Sequence, residues 1–285
     1  MTKETQQINY VKDTFEEYLS KKDHISSSDI KNFLKCPAYY HHEKYGDSVK
    51  EKGRHFSIGS AIHEIILEPE LFHSNYIVSP KFDRRTSKGK ADAEEFELNA
   101  KGKTVITDDE MELVIGIAEQ SMKNKTFVEL IKESYKEVSV YSVDETTGLK
   151  LKVRPDALAK NKNTIIDIKS CNDGSLRGFK KDVYSYGYYI SAPYYLDVLK
   201  RENYVFASME KSKPYPITLY VLNDEMMEHG RKQYRMALDL LKWSYDNNFW
   251  CDYNHFELLK ECYDLGNLND FFDTLNNSDL ITIIQ

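Results

Sequence analysis

No two of the four cysteines, Cys36, Cys171, Cys251 and Cys262, stand in C-x-x-C spacing. That excludes the usual zinc ribbon. Cys36-Pro37 follows a helix-start segment, as the first ligand of an iron–sulfur cluster would. Such a cluster needs three more cysteines near the C-terminus, two of them closely spaced, whereas Cys251 and Cys262 are eleven apart, so no iron–sulfur cluster is expected. The 12 glycines and 7 prolines form neither a linker nor a repeat that would divide the chain. A glycine-rich phosphate loop and a nucleophile motif are missing too, which makes a small-molecule enzyme remote. No apolar run approaches the ~20 residues of a membrane helix, and the polar N-terminus has no signal-peptide apolar region. A cytoplasmic protein with reduced thiols and no membrane partner is the expectation, in bacterial or phage-infected cells. Excess basic charge is lacking as well: the net charge is −7 and the isoelectric point about 5.7. This argues against a basic nucleic-acid coat protein, although a local basic groove can sit on an acidic body.

What is present is enough for a core. Of 285 residues, 41% are hydrophobic and 30% charged, the balance of a folded, soluble protein. The 21 tyrosines read first as interface and groove surface. Residues 1–24 read as a polar arm or helix, 25–255 as the main domain and 256–285 as a polar tail. Ser26 to Asp29 caps a helix carrying Ile30, Phe33 and Leu34. A second helix covers about 57–67 and stops before Pro69. Residues 80–104, poor in apolar side chains, read as a mobile loop, and 107–134 return to a helical pattern. Strands follow near 136–143, 147–159 and 164–170, then a tyrosine-rich helix at 180–200. Strands near 204–210 and 215–222 and a helix at 224–247 complete the pattern. This is an α/β fold with a mixed sheet flanked by helices.

The chemistry centres on Asp156, Asp167 and Lys169. Leu149, Leu151 and Val153 alternate as in a strand, and Thr164 to Lys169 reads as the next one, with a turn at 160–163. Such a hairpin brings the two carboxylates together at one end of a sheet. Lys169, two residues past Asp167, shares its face. Two carboxylates suit a hard divalent cation, and a lysine beside them can position or deprotonate water. Asp-x-Lys is also a common surface triplet, but Asp167 stands among Ile165, Ile166 and Ile168, where an unpaired charge is costly. His63, inside the second helix, is either a ligand or an ordinary helix histidine. Its neighbour Glu64 projects about 100° away and would not reach the same ion. Glu137 is an extra ligand or an edge charge. Lys81, Arg84, Arg85, Lys88 and Lys90 either hold a phosphate backbone or form a solvated run. Arg154, beside Pro155-Asp156, suits a phosphate fork. Tyrosines around 184–195 occur on more than one side of their helix, so some face outward, where stacking on bases is available.

The order His63, Glu137, Asp156, Asp167-Ile-Lys169, then a tyrosine-rich helix, resembles the PD-(D/E)XK nuclease superfamily. Within it, the chain looks like the phage and prophage exonucleases related to exodeoxyribonuclease VIII. The segments that carry the likeness are 59–63, 81–90, 147–156, 167–169, 194–198, 210–215 and 250–253, which together span about 25 to 253. The resemblance implies a restriction-endonuclease-like fold and Mg²⁺-dependent phosphodiester hydrolysis, with Mn²⁺ as a substitute. It implies His63, Asp156, Asp167 and the Ile168 carbonyl as metal ligands, and Lys169 as the residue that activates or orients water. It further implies digestion of linear duplex DNA from its ends, 5′ to 3′, by a trimeric or tetrameric ring working beside a single-strand annealing protein. Relatives carry a glutamine, thought to help position DNA or water, where this chain has Ser191, in the motif that runs to Tyr195. That departure favours a second reading, a catalytically weak nuclease-fold protein that binds DNA ends or a partner. A third is an endonuclease acting on circles, flaps or single strands.

Overall fold

The computed structural model describes residues 9–46, 54–161 and 163–276, without the side chains of 54–57 and 276. Residues 1–8 of the polar arm, 277–285 of the tail and residue 162 of the expected turn lie outside the described residues. In chain order the first elements are helices α1 (Phe15–Ser20), α2 (Ser27–Lys35), α3 (Pro37–Tyr45), α4 (Arg54–Leu67) and α5 (Pro69–Asn75). Strand β1 (Tyr76–Val78), helix α6 (Ser87–Asn99), strand β2 (Thr104–Ile106) and helices α7 (Asp108–Lys123) and α8 (Lys125–Lys132) come next. Strands β3 (Ser134–Lys136), β4 (Val140–Val143), β5 (Lys150–Val153), β6 (Ala157–Ala159) and β7 (Thr164–Cys171) follow. Helices α9 (Leu176–Ser185) and α10 (Tyr188–Leu199) lead to β8 (Asn203–Glu210) and β9 (Ile217–Tyr220). Helices α11 (Asp224–Asn247) and α12 (Tyr253–Asp264), a 3-10 turn and α13 (Phe271–Asn276) end the order.

The central sheet is β3-β6-β7-β8-β9. It is mixed: β7 and β8 run parallel and its other pairs are antiparallel. The parallel pair needs a crossover, and α9 and α10 provide it. Side-chain alternation along β7 then loads both faces. Ile165 joins one buried cluster with Phe33 of α2, Tyr194 of α10, Leu238 of α11 and Leu259 of α12. Ile166 and Ile168 join the other, with Ile62 of α4, Val114 of α7 and Phe127 of α8. Helices therefore cover both faces. Among the described residues, no helix is long and apolar enough to cross a membrane.

Local chemistry explains where these elements start and stop. Ser26 and Asp29 close a reciprocal capping box at α2, with Ser26 N–H to Asp29 Oδ2 at 2.8 Å and Asp29 N–H to Ser26 Oγ at 3.2 Å. Pro155, which has no N–H, stands at the break that divides the expected 147–159 strand into β5 and β6. β5 pairs with β4 in a separate two-stranded sheet. Glu137, at φ 50°, makes the corresponding break between β3 and β4. The tyrosine-rich helix is two helices, interrupted at Gly187 with φ 64°.

Two further regions differ from expectation. Residues 87–99 are helical, capped by Thr86, whose Oγ1 accepts the Gly89 N–H at 3.0 Å. The apolar pattern gave no hint, because this helix buries only Gly89 and Ala93. Within the expected polar tail, the described residues 256–276 contribute Phe256, Leu259, Cys262 and Phe271 to the first cluster.

Candidate active site

The β6–β7 hairpin pairs Ala157 with Ile166, which brings Asp156 and Asp167 side by side. Asp156 Oδ2 accepts the Ile168 N–H at 2.6 Å. Lys169 Nζ lies 2.5 Å from Asp167 Oδ1 and 3.5 Å from the Ile168 carbonyl, as alternation along one strand face requires. From α4, His63 places Nδ1 3.5 Å from Asp156 Oδ1. Glu137 donates its backbone N–H to the Asp156 carbonyl at 3.1 Å. Its left-handed backbone is a costly conformation for a side chain of this size, and it directs the carboxylate inward. Ligand atoms of His63, Glu137 and Asp156 all lie within 4.8 Å of one another. Asp167 is not in this trio. Its carboxylate is turned to Lys169 and lies beside the Asp156 carboxyl, with Tyr204 packed near it. Glu64 bonds instead to Asn75, away from the site.

Burial and charge set the protonation of the cluster. Burial opposes the Asp156 carboxylate, yet the charge and hydrogen bond of His63, then Lys169 and the Ile168 N–H, hold it well below the usual carboxylate range. Burial also works against the His63 imidazolium, but Asp156 outweighs it and the imidazole is pushed up. Asp167 is raised by burial, Lys169 opposing and the Asp156 charge adding to it. Glu137 is pushed up to about 7 by burial and then by Asp156, against His63 and Arg154. Burial disfavours the Lys169 ammonium, but Asp167 and Asp156 more than compensate and raise it. In the cation-free site Asp156 therefore carries the negative charge, while His63 and Glu137, like Asp167 and Lys169, are held toward their protonated forms, and a bound cation would displace protons from the trio. A surplus of carboxylate oxygen beside an imidazole suits a hard or borderline divalent cation, so the donor set fits such an ion.

The other residues singled out from the sequence lie differently. Arg154 does not present an open fork. Its Nε donates to Glu137 Oε2 at 2.9 Å, and one terminal nitrogen to the Asp13 carbonyl at 2.8 Å and Ser139 Oγ at 3.2 Å. It ties the N-terminal arm to Glu137. Ser191 is buried, its hydroxyl turned to the Gly187 carbonyl at 3.4 Å. Tyr195 is half-buried and donates to the Arg154 carbonyl at 3.4 Å. Arg84 pairs with Glu97 and Arg85 with Asp83, so these two cations are already matched at the surface, while Lys88 and Lys90 are exposed on α6. Sequence reasoning missed Tyr204 and Lys31, and it named Tyr188 only as one of several tyrosines in its helix. Tyr204 reaches Asp167 from the neighbouring parallel strand, where it is paired with Ile165. Tyr188 sets its ring 5.2 Å from Lys169 Nζ. Lys31 reaches the same ring from α2, at 6.0 Å. The glycine before Tyr188 was the one available signal, since it breaks the helix there.

Comparison with known proteins bears on the family and the fold. Residues 26–261 match the model of a family described as a PDDEXK-like domain of unknown function (DUF3799). A search of curated proteins finds no match. Among solved structures, a protein from Eubacterium rectale named as an exonuclease superposes with a TM-score of 0.59 at 16% identity, over 84% of this chain and 88% of that one. This likeness is one of fold. A phage-related exonuclease from Haemophilus somnus (TM-score 0.32, 8% identity, 79% and 96% covered) is a more distant match. So is an alkaline exonuclease from Laribacter hongkongensis (TM-score 0.32, 11%, 82% and 97%). With most of its length matched and the acidic hairpin in place, the chain belongs to the PDDEXK-like family.

Proposed function

We propose that this protein is a divalent-cation-dependent deoxyribonuclease that shortens linear duplex DNA from its ends. The observation that carries the reading is the meeting of His63, Glu137 and Asp156 beside the Asp167–Lys169 pair on a PDDEXK-like hairpin. His63, Glu137 and Asp156 would hold the ion, with Asp167 and the Ile168 carbonyl at its border. Bound there, Mg²⁺ supplies positive charge to a phosphodiester and lowers the pKa of water. Asp167 and Asp156 keep Lys169 an ammonium. Its part is therefore to donate hydrogen bonds that orient water and offset charge on the reacting phosphate, not to remove a proton. Arg154 and the Ile168 N–H fix the carboxylates of Glu137 and Asp156 and so limit the reorganisation the site must undergo. In-line attack by water would leave a 3′-hydroxyl and a 5′-phosphate. The 5′ to 3′ direction, a ring-shaped oligomer, an annealing partner and a role in phage recombination follow from the family likeness and belong to the same proposal.

The test is digestion of end-labelled linear duplex with and without Mg²⁺, beside covalently closed plasmid. Loss of label from the linear DNA alone, only with Mg²⁺, is the expected result. Asp167→Ala and Lys169→Ala should each abolish it while thermal unfolding stays cooperative. Undiminished digestion by both variants would refute the assignment. Binding without digestion by the unaltered chain would point to an end-binding protein instead.

A further inference from the structure

A short aromatic stack leads from Lys169 to the protein surface. Phe206 of β8 stacks on Tyr188 with ring centres 5.8 Å apart and planes 27° apart. Tyr188 in turn stacks on Tyr186 at 5.6 Å and 28°. Phe206 is buried, Tyr188 lies beneath the Lys169 ammonium, and Tyr186 is 59% exposed. The stack therefore ends in one open aromatic face, with its inner face already occupied. Gly187 makes this possible. Its left-handed backbone lets the chain turn Tyr186 outward and Tyr188 inward across one residue. A Cβ there would stand 2.8 Å from Lys31 Cδ, so the glycine also clears the path of the Lys31 stem. Lys31 Nζ then bonds the Tyr186 carbonyl at 3.1 Å, with no carboxylate paired to it in the described structure. Burial, then the charge of Lys169, lowers its pKa to about 8, as expected of a cation short of negative partners. An open aromatic face and an unmatched ammonium beside the reacting pair have the chemistry of a base and a phosphate, respectively.

We infer that Tyr186 and Lys31 form a nucleotide subsite next to the hydrolytic centre, Tyr186 stacking on the base of a nucleotide that flanks the scissile linkage and Lys31 holding its phosphate. The inference rests on the nuclease reading for the identity of the ligand, and its test does not require hydrolysis. The probe is 5′-phosphorylated linear duplex with 2-aminopurine at its terminal positions, bound by the full chain in chelator. Binding should quench the 2-aminopurine fluorescence. Tyr186→Ala should abolish the quench and weaken binding about tenfold, while Tyr186→Phe and Tyr186→Trp retain both. Lys31→Gln should keep the quench but flatten the dependence of log affinity on log salt by about one ion. Tyr253→Ala, a similarly exposed tyrosine on α12, is the control and should change neither. Native affinity and quench in Tyr186→Ala, or equal losses in the alanine and phenylalanine variants, would overturn the inference while leaving the nuclease reading standing. Quenched binding with no digestion once Mg²⁺ is added would do the reverse. Failure of the native chain to bind the duplex would overturn both.

Discussion

The carboxylate of Glu137 should make the cation-free protein less stable as pH rises, and Glu137→Gln should remove that dependence. Glu137 is pushed up to about 7 in the fold, against about 4.3 in an unfolded chain. A carboxyl that holds its proton more tightly when native contributes full stability below its unfolded value and loses it as pH climbs to the folded one. Each pH unit between the two is worth about 1.4 kcal/mol, so the fold gives up about 3 kcal/mol between roughly pH 4.5 and 7. His63, also raised, loses its contribution from about pH 6.5 upward, in the same direction. Asp156 is depressed, so its contribution disappears only as pH falls below about 4, outside this window. Glutamine cannot ionise, and its amide oxygen can still accept the Arg154 Nε that lies 2.9 Å from Glu137 Oε2. The variant should therefore match the native protein near pH 4 and exceed it by about 3 kcal/mol near pH 8. Urea denaturation in chelator at both pH values measures this, provided the slopes agree. Added Mg²⁺ or Mn²⁺ should restore the native protein at pH 8, by about 2.7 kcal/mol at a hundred times its Kd, and restore Glu137→Gln much less. Parallel pH profiles for the two proteins would refute the electrostatic account of this site.

Two other substitutions test how the site is supported. Arg154→Lys keeps the charge but cannot reach Glu137, the Asp13 carbonyl and Ser139 together. It should lower cation affinity about 10- to 100-fold, read by calorimetric titration, with a smaller effect on unfolding temperature. Gly230→Ala should destabilise by about 2–3 kcal/mol in denaturant unfolding, although alanine ordinarily favours a helix interior by about 1 kcal/mol. Its Cβ would fall 1.8 Å from the Tyr189 carbonyl and 3.0 Å from Pro193. That carbonyl receives no helix hydrogen bond from Pro193 four residues on, and α11 fits its glycine against it.

The acidic hairpin was legible because its information is local. A two-residue period, a turn and an Asp-x-Lys triplet place Asp156, Asp167 and Lys169 together without reference to any other part of the chain. His63 and Glu137 were legible only as residue types, because their convergence depends on how α4 and the β3–β4 break meet the hairpin. For Glu137 the deciding feature is a left-handed backbone, which a side chain of this kind rarely adopts and no sequence pattern announces. That Arg154 is engaged within the protein was hidden for the same reason in reverse. One of its partners is a backbone carbonyl at Asp13, in an arm that bridges to Ser139 through Val11, and main-chain oxygens carry no residue identity to read. Tyr204 joins Asp167 only because β7 and β8 run parallel, a pairing set by a crossover through two helices. Helix α6 was hidden by its composition: a cap and surface charges hold it, with almost no apolar stripe. The broken tyrosine helix shows the remaining boundary. Six tyrosines between 184 and 195 look alike along the chain, and a single left-handed glycine separates Tyr188, packed under Lys169, from Tyr186, open to solvent. Where function depends on which of several identical side chains faces outward, the backbone conformation between them decides the outcome.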